Sequence, residues 1–441
     1  MNRHTIVSLL FISFATGLLA QTPGVLPPNS GSQNSQPPLV VSKFWHPWLA
    51  PDSPEGNFLF PFTCFAVTED GLWVSGYFNQ AKKGKIFKIS LPDLKTESLD
   101  TADGKMITNL QSTPDALYTA IGHTDDKGRT SYHDLARYDF ATQSWTTHTL
   151  PVDFLPPVHL INGSIYLASV AVNLELRQKD TGVFKYDWTT EKLTMLASSR
   201  RRPSQNQFDD TAAYDISDIF AGPGNKPCIT TRTGTFYIQE SSGPWPAAFD
   251  DTFDGMAVTV LDRTLVLNVH GEVTLMDPKS DAPLPLMAAS QPFYRKAPAM
   301  GAQPTKVTTP WAAQTLWDSP ATDAHMWNND VGLHGDYFFI LHRPALASGT
   351  YELLCYQKGK GRTPRRIPLQ FQLDAPTTAV LAKVPGKIPN GWETSEIEHP
   401  DPRFNAELIT TNQGLGVKLI SAGFWFLPYS DIDAYLTANL P

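Results

Sequence analysis

The chain has 441 residues, of which 41% are hydrophobic and 18% charged, with a formal net charge of −8 and a pI near 5.8. That acidic balance argues against a phosphate-binding surface, so nucleic acid is not an expected partner. The cysteines Cys64, Cys228 and Cys355 are too few and too scattered for a disulfide framework.

At the start, Arg3 and His4 lead into an apolar run from Ile6 to Phe14, and the small residues Ala15, Gly17 and Ala20 follow. This is the layout of a signal peptide over residues 1–20, cut before Gln21. The run is shorter than the roughly 20 residues that span a bilayer, and no comparable run comes later. The expectation is therefore a secreted or periplasmic chain without transmembrane insertion, read as a monomer. Residues 21–42, rich in Pro, Ser and Asn, bury too little apolar surface to offset chain entropy and read as a flexible leader. Residues 43–441 are expected to form one domain.

Within that domain a unit recurs. Gly71-Leu72-Trp73-Val74 precedes Gly84–Leu91, Asp115–Ala120 precedes Leu135–Asp139, and Asn162–Leu167 precedes Gly182–Asp187. The spacing, about 45–49 residues, suits a four-stranded propeller blade. The second strands alternate with period two. Phe87, Ile89 and Leu91 share one face, with Lys88 and Ser90 on the other, and Phe184, Tyr186 and Trp188 oppose Lys185 and Asp187. Glu69-Asp70-Gly71, Asn162-Gly163 and Asp180-Thr181-Gly182 supply the hairpin turns.

Later units are less regular. They run through Thr235–Ile238, Asp262–Leu267 with Gly271–Leu275, Gly335–Leu341 with Gly349–Leu354, and Asn412–Val417 with Gly423–Leu427. Long insertions at 199–230 and 278–330 leave six to eight units open, with seven the best count. The fold class expected is all-β, a single propeller of about seven four-stranded blades. Its ring should be closed by the chain ends, with residues near 44–67 beside residues near 405–427. Near the C-terminus Ser430 is placed to cap a short helix over Asp431–Leu436, with Asp433 as its reciprocal partner. Strand-like neighbours suggest that the cysteines are buried thiols.

The units Gly71–Leu91 and Asn162–Asp187 resemble the blades of bacterial secreted β-propellers of the quinoprotein-like and sensor-propeller superfamilies. Trp-Asp occurs once, at Trp317-Asp318, and the paired glycines of kelch repeats are missing, so neither WD40 nor kelch is indicated. The resemblance implies a fold that hosts binding, scaffolding, hydrolysis, lyase and redox functions alike.

Three groups are candidate sites. Asp323, His325 and Asp330, with Trp327, Asn328 and His334 close in sequence, gather metal-capable and proton-transferring groups in a long insertion. The same segment also reads as a turn-rich loop. Asp250, Asp251 and Asp254 could offer oxygen ligands to calcium, or form an acidic turn, since the spacing is not that of an EF-hand. Loop tryptophans, Trp245, Trp317 and Trp327 among them, could stack on sugar rings or fill the wedges between blades.

No Gly-x-Ser-x-Gly elbow and no phosphate-binding glycine loop is present, so an α/β hydrolase or a dinucleotide enzyme is not expected. The leading reading is an exported, non-enzymatic binding propeller for a glycan, peptide or protein ligand. The alternatives are a propeller-fold polysaccharide lyase or hydrolase using His325, Asp323 and Asp330, and a structural envelope-associated module.

Overall fold

The structure is a computed structural model. It describes residues 37–50, 58–59, 65–78, 81–107, 109–125, 130–173, 178–198, 218–231, 234–240, 245–249, 256–267, 273–288, 293–294, 306–307, 317–318, 331–342, 351–358, 364–382, 406–419 and 423–439. Those residues form a seven-bladed β-propeller. Blades 1 to 7 occupy residues 65–100, 111–149, 155–198, 218–249, 256–288, 331–371 and 406–428, each an antiparallel meander from an inner to an outer strand.

The packing explains the sequence pattern. A blade is covered on both sides, so successive residues of its middle strands enter two different apolar wedges. Leu72 and Val74 pack towards blade 7 beside Phe87, Ile89 and Phe426, whereas Trp73 and Ile86 pack towards blade 2 beside Leu117 and Ile121. Tyr166 enters the wedge between blades 3 and 4, and its neighbours Ile165 and Leu167 enter the one between blades 2 and 3. Phe338 and Phe339 divide between the wedges on either side of blade 6 in the same way. Full burial of one such side chain contributes about 1.5–3 kcal/mol. The expected faces hold: Phe184, Tyr186 and Trp188 lie in one wedge, and Lys88 turns away to Asp70 and the Trp73 ring.

The chain ends close the ring. Strand Lys43–Trp45 runs antiparallel to Gly423–Pro428 and is the outer strand of blade 7. Leu39–Val41 pairs in parallel with Leu369–Phe371 and adds a fifth strand to blade 6. The expected signal peptide, residues 1–20, and residues 21–36 of the segment read as a leader lie outside the described residues, and the leader's last part contains this strand. Gly423 sits at φ +92°, and a Cβ there would collide with the Trp45 carbonyl, so the closing pair requires glycine.

Two helices depart from expectation. The C-terminal helix spans Tyr429–Ala438 without a side-chain cap, and Ser430 Oγ bonds Asp431 instead. The start is set by Tyr429, whose amide donates to Gln413 and whose hydroxyl donates to the Thr411 carbonyl. The helix Ala375–Ala382 was not legible from periodicity; Asp374 caps it by accepting from the Thr377 amide at 2.7 Å. The insertion after blade 5 carries strand Trp317–Asp318, which pairs with Met287 and Ala288.

Candidate functional site

The meander gives the ring two unlike faces. On one, the inner-to-second-strand turns and the third-to-outer-strand turns are mostly tight and cap themselves. In three equivalent inner turns the amides of Thr68, Thr113 and Thr411 donate to the carbonyls of Gly71, Ala116 and Gly414. Asp139 accepts from the amides of Ala141 and Thr142, and Asp187 from those of Thr189 and Thr190. The carboxylates of Asp139 and Asp187 are thus used in turns. The other face holds the middle-strand hairpins and every connection from one blade to the next. The long connections 199–217, 289–330 and 372–405 each leave one blade and enter the next at this face.

Blade 2 presents a cluster on this long-connection face. Strand Ala116–Thr124 pairs with Thr130–Asp139, but the register slips between Tyr132 and Asp134, leaving His133 as an extra residue. In a regular strand His133 and Asp134 would point to opposite faces. The bulge instead puts both on the face of His123. His123 Nε2 lies 2.8 Å from Asp134 Oδ2, and His133 Nε2 lies 4.0 Å from Asp134 Oδ1. The two imidazoles stack with centroids 4.4 Å apart.

Surrounding groups fix this arrangement. Thr149, opposite Asp134 on the outer strand, donates its hydroxyl to Asp134 Oδ1 at 2.7 Å. Asp153, on the connection to blade 3, lies 3.5 Å from His133 Nδ1. Backbone bonds from Leu150 to His133 and from Phe154 to Tyr132 hold that connection against the bulge. Burial pushes the Asp134 pKa up, but the Thr149 and His123 hydrogen bonds and both imidazoles outweigh it, so the carboxyl is held below its ordinary value. Chemically, the cluster is a carboxylate with two nitrogen donors, within reach of solvent at His123 and His133.

Asp323, His325, Trp327, Asn328 and Asp330 lie outside the described residues, as do Asp250, Asp251 and Asp254. The ends of both segments, Phe249 to Met256 and Asp318 to Val331, open on the long-connection face. His334 is at the other end of the blade 6 inner strand, on the tight-turn face, where its ring stacks on Tyr429 at 3.6 Å. Burial lowers its pKa against the opposing pull of Asp433. Trp245 is 4% exposed in the wedge between blades 3 and 4. Trp317 belongs to the added strand of blade 5, and its side chain is outside the described set. Cys228 and Cys355 are buried free thiols, as their neighbours suggested.

No family model and no curated protein matches the sequence. Among solved structures, BamB from Moraxella catarrhalis is similar over 85% of this chain and 99% of its own, at 8% identity and a TM-score of 0.41. YCF48 from Cyanidioschyzon merolae covers 85% and 95%, at 9% identity and a TM-score of 0.41. An oligogalacturonate lyase in complex with manganese covers 86% and 91%, at 11% identity and a TM-score of 0.45. These likenesses are distant and concern the fold; the ligands and chemistry of those proteins do not transfer through them.

Proposed function

We propose that this chain is an exported, non-enzymatic binding propeller whose long-connection face holds a glycan, peptide or protein ligand. One observation carries the reading: the long connections leave and re-enter the blades at one face of the ring, while the other is finished mostly with short turns that cap themselves. A rigid ring that presents variable loops on one side is the arrangement of a recognition surface, because loops tolerate change while the blades fix their positions. Export rests on the basic, apolar and small-residue order of residues 1–20.

The test uses the mature chain beginning at Gln21 on glycan and peptide arrays, beside two variants. In one, residues 199–217 are replaced by a short Gly-Ser linker; in the other, the Thr189-Thr190 turn is replaced by Asn-Gly. Binding that is lost in the first and kept in the second supports the reading. Binding lost only in the turn variant, or no binder on either array, opposes it.

A further inference from the structure

We propose that His123, His133 and Asp134 form a binding site for a divalent transition metal of the zinc class, with coordination positions left open towards the long-connection face. The inference stands on the geometry of blade 2 and does not depend on the identity of any larger ligand.

Three features point to a metal. Each of the three residues offers one ligand atom, and the three atoms lie within 4.8 Å of one another. Tetrahedral coordination at zinc bond lengths sets ligand atoms roughly 3.3 Å apart. His123 Nε2, 2.8 Å from Asp134 Oδ2, would therefore draw back slightly, and His133 Nε2, 4.0 Å from Oδ1 of the same carboxylate, would move in towards the ion. Two imidazoles and one carboxylate form a donor set suited to zinc and its neighbours and poorly suited to calcium, which takes oxygen ligands.

The supporting groups fit the same purpose. A metal-ligating imidazole is commonly oriented by a carboxylate at its other nitrogen. Asp153 stands at His133 Nδ1, leaving Nε2 towards Asp134. Thr149 fixes one carboxylate oxygen by donating to it, and the other oxygen faces His123. Three protein ligands leave at least one position for water or for an oxygen of a bound molecule. His123 and His133 keep 28% and 34% of their side-chain surface open, so that position is reachable.

The bulge makes the cluster, which ties the proposal to the backbone as well as to composition. Deleting His133 would restore the regular register with Asp134 still opposite Ile121, and would leave two of the three ligands.

The experiment titrates cobalt(II), then zinc(II), into the chelator-treated mature chain. The proposal expects one equivalent of cobalt with visible absorption bands of low-symmetry coordination, displaced by zinc. His133→Gln and Asp134→Asn should each weaken cobalt binding 100-fold or more, while His342→Gln leaves it unchanged. Asp153→Asn should weaken it about 10-fold, with Asp153→Glu restoring it. A second measurement needs no variant. Zinc should protect His123 and His133 from acylation by diethylpyrocarbonate, mapped by mass spectrometry. Equal labelling with and without zinc, or wild-type cobalt affinity in both His133→Gln and Asp134→Asn, would overturn the site.

Discussion

Phe44 and Trp425, from opposite ends of the chain, are register partners across the closing strand pair, their rings 4.8 Å apart. Phe371 of blade 6 meets the same indole at 5.2 Å, so one aromatic contact joins the N-terminal strand to two blades. Tyr435 of the C-terminal helix extends the closure by donating its hydroxyl to the Pro37 carbonyl at 2.8 Å.

Phe44→Ala should therefore cost about 3–5 kcal/mol, the range for truncating a buried aromatic. Removing Phe424–Pro441 should go further, because it exposes blade edges and uncovers Leu72, Val74 and Phe87, the wedge that Phe424 and Phe426 fill. Thermal melts read both. A truncated chain that melts cooperatively at the full-length temperature would contradict ring closure.

Gly423→Ala tests the same junction through the backbone. It combines a positive φ with a collision against the Trp45 carbonyl, and a loss of about 2–4 kcal/mol is expected. Gly163→Ala is the comparison, since φ is positive there too but nothing stands within 4 Å. The second substitution should cost about 1 kcal/mol. Equal losses in urea unfolding would mean that the contact with Trp45 contributes nothing.

A pH dependence arises between blades 3 and 4, where His159 Nδ1 lies 3.4 Å from Asp218 Oδ1. Burial pushes His159 down to about 3 and Asp218 up to about 7. Asp218 keeps 23% of its side-chain surface open, so solvent screens part of its effect. The unfolded chain takes up the histidine proton below 6.5 while the folded chain does not, so this group lowers stability as pH falls from 6.5 towards 3. The folded chain keeps the Asp218 proton that the unfolded chain releases above 3.8, so that group lowers stability as pH rises from 3.8 to 7. Asp218→Asn removes the second slope. Its melting temperature relative to wild type should rise across that window and level off above it, and a constant difference would refute the assignment.

The buried thiols offer a chemical check. Burial pushes the Cys355 thiol up to about 12 and Cys228 higher still. Neither should be alkylated by iodoacetamide in the native chain at pH 8, and both should react after denaturation. Rapid native labelling at either position would show that its wedge opens.

The fold was largely legible because two-residue alternation and tight turns are local signals. Gly71–Leu91 carries a full hairpin in its own sequence, and Phe424 and Phe426 already read as one apolar face. Closure by the chain ends was legible as residues near 44–67 beside residues near 405–427, and the structure narrows it to Lys43–Trp45 against Phe424–Phe426. The cluster in blade 2 was not. Strict alternation puts His133 and Asp134 on opposite faces, and only the backbone bulge brings both to His123. Pairing the hairpin from its ends would have brought His123 beside Ser131 and hinted at the neighbourhood. The candidates around His325 rest on local density of polar groups, a signal that a turn-rich connection produces equally well, and they lie outside the described residues.

The most direct test of the account is a hydrogen-exchange footprint of the mature chain with a glycan or peptide that scores on the arrays. The account predicts protection in the hairpin and connections around His123, His133 and residues 150–154, and in the long connections between later blades, with the turns at Asp70, Asp115 and Asp187 unchanged. Protection confined to those turns would place the ligand on the opposite face and contradict it.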